Sequence, residues 1–176
     1  MATTVDRTAT SALQIPFSGQ EFRQAVGSFA TGVTVVTTNS GSEKYGMTAN
    51  SFTSVSLDPP LVLVCAIAGT EGSEVIARNG RFAVNVLAHD QEPISRFFAS
   101  KDRPRGADAF RDISHRDGVT GCPIIDGCAG HLDCLLHSSY EAGDHVIFIG
   151  AVQALGCEAD MQPLLFHGGK YRLVRE

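Results

Sequence analysis

Residues 61–67, LVLVCAI, form an apolar run with no charge, entered through a Pro59–Pro60 corner. A run this short, bounded by turn residues, reads as a strand buried on both faces. The stretch before it, from Gly46 to Ser56, is of another kind. Thr48, Asn50, Ser51, Thr53, Ser54 and Ser56 bring short donors and acceptors with little bulk. A small, polar strand leading into a core strand suits the wall of a pocket for something flat and polar. The same residues also fit an ordinary Ser/Thr-rich edge strand.

The rest of the chain gives this pair of strands a β-rich setting. Ser18 and Glu21 make a capping box ahead of Phe22, Ala25, Val26 and Phe29, which predicts a helix over 19–29. Residues 31–38, TGVTVVTT, read as a strand, and residues 39–42 as a turn. A short helix is expected over 71–79, stopped by Gly80. A strand follows over 81–87, then a helix over 90–99 with Asp90 as cap and Pro93 in its first turn. Residues 100–121 are polar and rich in Gly, Pro and charge, the longest loop candidate and a candidate lid or interface arm. Strands over 129–139 and 145–155 alternate around a turn at 142–144. Residues 163–166 and 171–174 flank Gly168–Gly169, a two-residue hairpin turn. Six or seven strands with few helices predict a small antiparallel barrel.

At 176 residues one domain is expected, spanning 17–176 behind a mobile tail over 1–16. The net charge of −5 argues against non-specific binding to nucleic acid or an anionic membrane. The apolar run ending at Ile67 is too short to span a bilayer, and no signal-peptide pattern precedes it, so a cytoplasmic location is expected. The five scattered cysteines then read as reduced thiols rather than a disulfide framework, with Cys65 a small hydrophobe within its strand.

Cys128, His131, Cys134 and His137 recur every third residue and invite a zinc reading. On a strand, however, 128 and 134 face one side while 131 and 137 face the other, so no metal is expected. There is no G-x-S-x-G nucleophile turn, no Walker phosphate loop and no G-x-G-x-x-G fingerprint. His145 follows a Gly-Asp turn and opens the apolar strand VIFIGAV. At such a strand mouth an imidazole can meet a ligand or serve as a structural histidine.

The segments FATGVTVVTT, GMTANSFTSVSLDPPLVLVC, GRFAVNVL, GDHVIFIGAV and PLLFHGGKY occur in this order. Together they resemble the short-chain flavin reductases, the reductase partners of two-component flavin-dependent monooxygenases, over nearly all of 22–171. The resemblance implies a mainly β split barrel of antiparallel Greek-key type, acting as a homodimer with the flavin near the subunit interface. It implies NAD(P)H-dependent reduction of FAD or FMN, with NADH favoured, and delivery of reduced flavin to a separate monooxygenase. By position, Gly46, Met47, Thr48, Ala49, Asn50, Ser51 and Ser54 would line the flavin ring. Cys65, Ala66, Ile67, Ala68, Gly69, Thr70 and Ser73 would run towards the phosphate. His145, Leu165, Phe166, His167 and Gly168 would face the nicotinamide, His145 as a positioning or electrostatic group.

One departure stands out. Glu71 occupies a position that is often Arg in the family, where an acid beside a phosphate is unfavourable. Arg78 or Arg81 is the candidate for the missing charge. Two other functions share this kind of barrel: a flavin carrier without reductase activity, and an oxidase of the pyridoxamine-phosphate type. The latter would want basic phosphate ligands that the motif lacks.

Overall fold

The computed structural model describes residues 16–41 and 43–174. The tail expected over 1–16 therefore lies, Pro16 apart, outside the described residues, as does Ser42 of the expected turn. The chain is mainly β, with three α-helices among the described residues.

The first helix, α1, spans Gly19–Gly27, two residues shorter than expected at its end. Its capping box is formed: Ser18 Oγ accepts from the Glu21 amide, and the Ser18 amide donates to the Glu21 carboxylate at 2.8 Å. No residue of α1 is buried. The helix keeps its shape by capping and places Phe22, Val26 and, just beyond its end, Phe29 at the surface.

Strands β1 (Thr31–Gly32), β2 (Thr34–Asn39), β3 (Lys44–Ala49), β4 (Thr53–Leu57) and β5 (Pro60–Ile67) follow. Helix α2 (Glu71–Asn79) ends at Gly80, whose φ of 64° is the left-handed cap that glycine adopts without strain. Strand β6 (Arg81–Val86) leads to helix α3 (Glu92–Ala99), whose cap is Gln91 rather than Asp90. The expected long loop is interrupted by a 3₁₀ turn at Gly106–Phe110 and by β7 (His115–Asp117), which pairs with β8 (Pro123–Ile125). Ala109 and Phe110 of that turn are buried against Phe98, which is why the segment is ordered despite its polar sequence. The chain closes with β9 (Gly130–Ala142), β10 (His145–Cys157), β11 (Leu165–His167) and β12 (Lys170–Arg172).

Seven strands form one antiparallel sheet in the order β3-β2-β6-β9-β10-β5-β4, and β1-β11-β12 form a second. The expected barrel is not a closed hydrogen-bonded cylinder. Strand β4 is the hairpin partner of β5 and occupies its outer edge, so β3 cannot pair there. The gap that remains between β3 and the end of β5 is what positions the site.

Two apolar clusters hold the sheet. Val36, Val64, Ile76, Phe82 and Phe148 make one. Val35, Leu87, Phe98, Phe110 and Leu164 make the other. Adjacent valines of β2 thus point into different clusters, and β2, like β6, is buried on both faces. The expectation for 61–67 needs correction on this point. In β5, Val62, Val64 and Ala66 are buried, whereas Leu61, Leu63 and Cys65 are half-buried and Ile67 is 57% exposed. One face of β5 meets the core; the other lies open, alternating as a strand's side chains must.

The hairpin turn is as expected. Gly168 and Gly169 both have positive φ, 58° and 76°, the requirement of a two-residue turn that follows the sheet's twist. Its strands are shorter than read from sequence, and Pro163 makes only an isolated bridge with Ala88.

Candidate functional site

A cleft of about 600 Å³ opens along the β3 edge. Gly46, Met47, Thr48, Ala49, Asn50 and Ser51 form one wall, and Cys65, Ala66, Ile67 and Thr70 form the floor. All ten were expected at the pocket. As an edge strand, β3 leaves one row of backbone donors and acceptors unpaired by the sheet; apart from the Gly46 carbonyl, which Arg103 takes, they are available to a flat polar ligand.

The hydroxyls on this wall do a different job from the one their composition suggests. Thr48 Oγ1 donates to the Ser95 carbonyl at 2.7 Å, and Ser51 Oγ bridges the Cys65 backbone, accepting from its amide and donating to its carbonyl at 3.0 Å each. They brace the wall against α3 and β5. Burial of the Cys65 thiol pushes it above the ordinary thiol range, which keeps it protonated.

Four of the expected flavin contacts stand off the cleft lining. Ser54 is exposed on β4. Ala68 and Gly69 sit in the turn after β5, where the Ala68 amide donates to the Asp144 carbonyl at 2.9 Å. Ser73 is buried in the first turn of α2, and its hydroxyl donates to the Thr70 carbonyl at 2.9 Å. His145 opens β10 opposite Ile67 in the ladder, at the rim of the floor. Its Nδ1 donates to Asp144 Oδ1 at 2.7 Å, and this hydrogen bond from the imidazole holds the exposed Asp144 carboxyl below its usual range. Leu165, Phe166 and His167 lie on the second sheet, and Gly168 donates its amide to the Gly27 carbonyl at 2.9 Å. None of these four lines the cleft.

The opposite wall comes from residues that sequence reasoning passed over: Phe98 and Ala99 at the end of α3, then Lys101, Arg103, Pro104, Arg105 and Gly106. Arg103 fastens this arm. Its guanidinium donates to the Gly46 carbonyl at 2.7 Å and the Ser100 carbonyl at 2.6 Å, and lies 5.2 Å from the centre of the Tyr45 ring. The only signal was three cations at alternate positions in a loop without periodicity.

With Lys44, the cleft collects four cations against one carboxylate, Glu71. An acidic chain thus carries a locally basic site, which suits an anionic ligand. Arg105 Nη1 stands 3.4 Å from Glu71, offsetting the acid that looked misplaced. Arg78 and Arg81 do not supply the charge: Arg78 pairs with Glu43 at 2.9 Å, and Arg81 donates to the Thr120 carbonyl at 2.8 Å.

The zinc spacing dissolves on β9. Cys134 is fully buried, His137 is exposed, and no group of three or more metal-ligating side chains gathers among the described residues. All five cysteines are free. No helix among the described residues is long and apolar enough to cross a membrane.

A mainly β chain whose cleft joins an open strand edge to a row of cations has the makings of a binding site for a phosphorylated, ring-bearing cofactor. Residues 26–175 match the flavin reductase like domain, and the chain belongs to that family. It is 45% identical over 153 residues to an NADH-dependent FAD reductase of Streptomyces globisporus, covering 86% of this chain and 84% of that one. It is 38% identical over 152 residues to the reductase subunit of a flavin-dependent monooxygenase from Rhodococcus jostii, covering 86% and 76%. The fold superposes with a TM-score of 0.85 on the NADH:FAD oxidoreductase of Streptomyces globisporus solved with NAD and FAD fragments, at 41% identity over 94% of this chain and 98% of that one.

Proposed function

We propose that this chain is an NAD(P)H:flavin oxidoreductase that reduces FAD or FMN by hydride transfer and supplies the reduced flavin to a separate flavin-dependent monooxygenase. The observation that carries the reading is the cleft, in a chain of this family, between an edge strand and a cationic arm. Among the described residues its lining holds no histidine and a single carboxylate, the chemistry of a site that positions rather than protonates.

Bound flavin supplies the acceptor for the hydride that NADH gives up. Such a transfer needs stacked rings with reacting atoms about 3–3.5 Å apart, which is a demand on binding and orientation. Gly46, Met47, Thr48, Ala49, Asn50 and Ser51 present backbone groups to the ring edge, with Ser54 beside them. Backbone donors aimed at a ring that gains negative charge stabilise the reduced form. Cys65, Ala66, Ile67, Ala68, Gly69, Thr70 and Ser73 lead from the ring towards the phosphate. His145 orients the nicotinamide from the rim, while Leu165, Phe166, His167 and Gly168, expected beside it, lie on the second sheet outside the cleft lining. NADH is the favoured donor, as in the names of the relatives.

The open sheet is read as the split barrel of antiparallel Greek-key type, a single domain over 17–176. A homodimer would cover the open face of β5 around Ile67 and the apolar face of α1, supported by the exposure of Phe22, Val26 and Phe29. Free thiols throughout support a cytoplasmic home.

The test is oxidation of NADH and NADPH by purified protein with FAD, FMN or no added flavin. Turnover that depends on added flavin supports the reductase. Clear flavin binding without turnover for any pair would replace it with a flavin carrier.

A further inference from the structure

We infer that Lys101 and Arg105, on the arm over 99–106, bind the phosphate groups of the flavin, Arg105 exchanging its partner Glu71 for the ligand. The inference rests on the flavin-binding reading above and extends it to residues outside the motif that carries the family resemblance.

The arm is built to hold these cations over the cleft. It is tethered at its centre by Arg103, which is engaged with the Gly46 and Ser100 carbonyls and so cannot also be the principal ligand group. At its far end the 3₁₀ turn Gly106–Phe110 anchors it through Phe110, packed against Phe98 with ring centres 5.2 Å apart. Between these two fixed points Arg105 is 79% exposed in its side chain, and its single ion pair among the described residues is the 3.4 Å contact with Glu71. Lys101 lines the cleft with no carboxylate partner among the described residues.

The Glu71 pair is the weak, exposed kind that solvent and salt erode, so a dianionic phosphate displaces it readily. Glu71 opens α2, where Thr70 gives no side-chain cap because its hydroxyl donates to the Ile67 carbonyl instead. A phosphate drawn in by Arg105 and Lys101 would thus arrive beside helix amides that no side chain satisfies, a favourable end of the helix dipole. This accounts for an acid where the resemblance expects a base. The positive charge comes from the arm across the cleft rather than from the β5–α2 turn.

The experiment compares binding of FAD, FMN and riboflavin, by flavin fluorescence or calorimetry, to the full chain and to Arg105→Gln, Lys101→Gln and Arg105→Glu. Arg105 and Lys101 are exposed, so the variants fold. The expected result is a loss of about tenfold or more in FAD and FMN affinity for each neutral variant and a larger loss for Arg105→Glu. Riboflavin, which has no phosphate, is bound alike by all four proteins. Equal losses for riboflavin and FAD, or unaltered FAD affinity, would overturn the inference by making the arm merely structural. Flavin bound without NADH oxidation would overturn the reductase reading alone. Failure of the unaltered protein to bind any of the three would overturn both.

Discussion

Thr48 Oγ1 donates to the carbonyl of Ser95 across the gap between the cleft wall and α3, at 2.7 Å. Ser95 is fully buried, and its own hydroxyl meets the Tyr171 hydroxyl at 2.8 Å. Tyr171 in turn lies beneath the Arg96 guanidinium, 4.8 Å from the ring centre. A single chain of contacts therefore runs from the cleft through α3 to the Gly168–Gly169 hairpin.

Replacing Thr48 with Val keeps the shape and removes the donor. The expected cost is about 1 kcal/mol of stability, the usual net worth of one hydrogen bond. Because the wall itself is released, flavin affinity should fall as well. Urea unfolding together with flavin titration checks both; unaltered affinity with lowered stability would separate the brace from the site.

Gly46 has no room for a side chain. A Cβ there would stand 2.5 Å from Phe98 and 3.2 Å from Phe110. Gly46→Ala should cost about 1–3 kcal/mol by overpacking and push the arm away from the cleft. Adding Phe98→Leu should restore part of the loss, so that the two changes couple in a double-mutant cycle.

Glu71→Gln removes the acid from the cleft mouth. FAD affinity should rise severalfold at low salt, and the gain should shrink as added salt screens the charge. Titration at two ionic strengths reads this directly. A fall in affinity would mean that Glu71 positions Arg105 for the ligand rather than competing with it.

Cys134 supplies a pH prediction. Burial pushes its thiol up to about 12, with the neighbouring Asp133 charge adding to the effect. A group whose folded pKa is raised contributes fully below its unfolded value and loses that contribution as pH rises towards the folded one. Stability should therefore decline from about pH 8.5, the ordinary thiol value, upwards. Cys134→Ala should be less stable at neutral pH, because it leaves a cavity, yet show a flatter decline. Thermal unfolding across pH 7–11 separates the two effects.

Local signals carried the elements they could reach. The capping box of α1, Gly80 after α2 and the paired glycines of the hairpin each satisfy a backbone need that sequence alone declares. The wall from Gly46 to Ser51 was legible only through the family resemblance, because small polar residues beside an apolar strand fit an ordinary edge strand equally well. What stayed hidden depends on distant partners. The facing of 61–67 could not be read from its composition, because Leu61, Leu63 and Ile67 are as apolar as the buried Val62 and Val64. The cationic arm stayed hidden because Arg103 acts on Gly46 from 57 positions away. Its loop has no period, and Ala109 and Phe110 anchor it only through tertiary contact with Phe98.

Hydride transfer from NADH to flavin is the activity on which the site's design converges. The most direct measurement is anaerobic mixing of NADH with excess FAD and a catalytic amount of protein, following both absorbances. One FAD should be bleached for each NADH oxidised, and none at a comparable rate without the protein. NADH that persists beside bound, oxidised flavin would contradict that transfer.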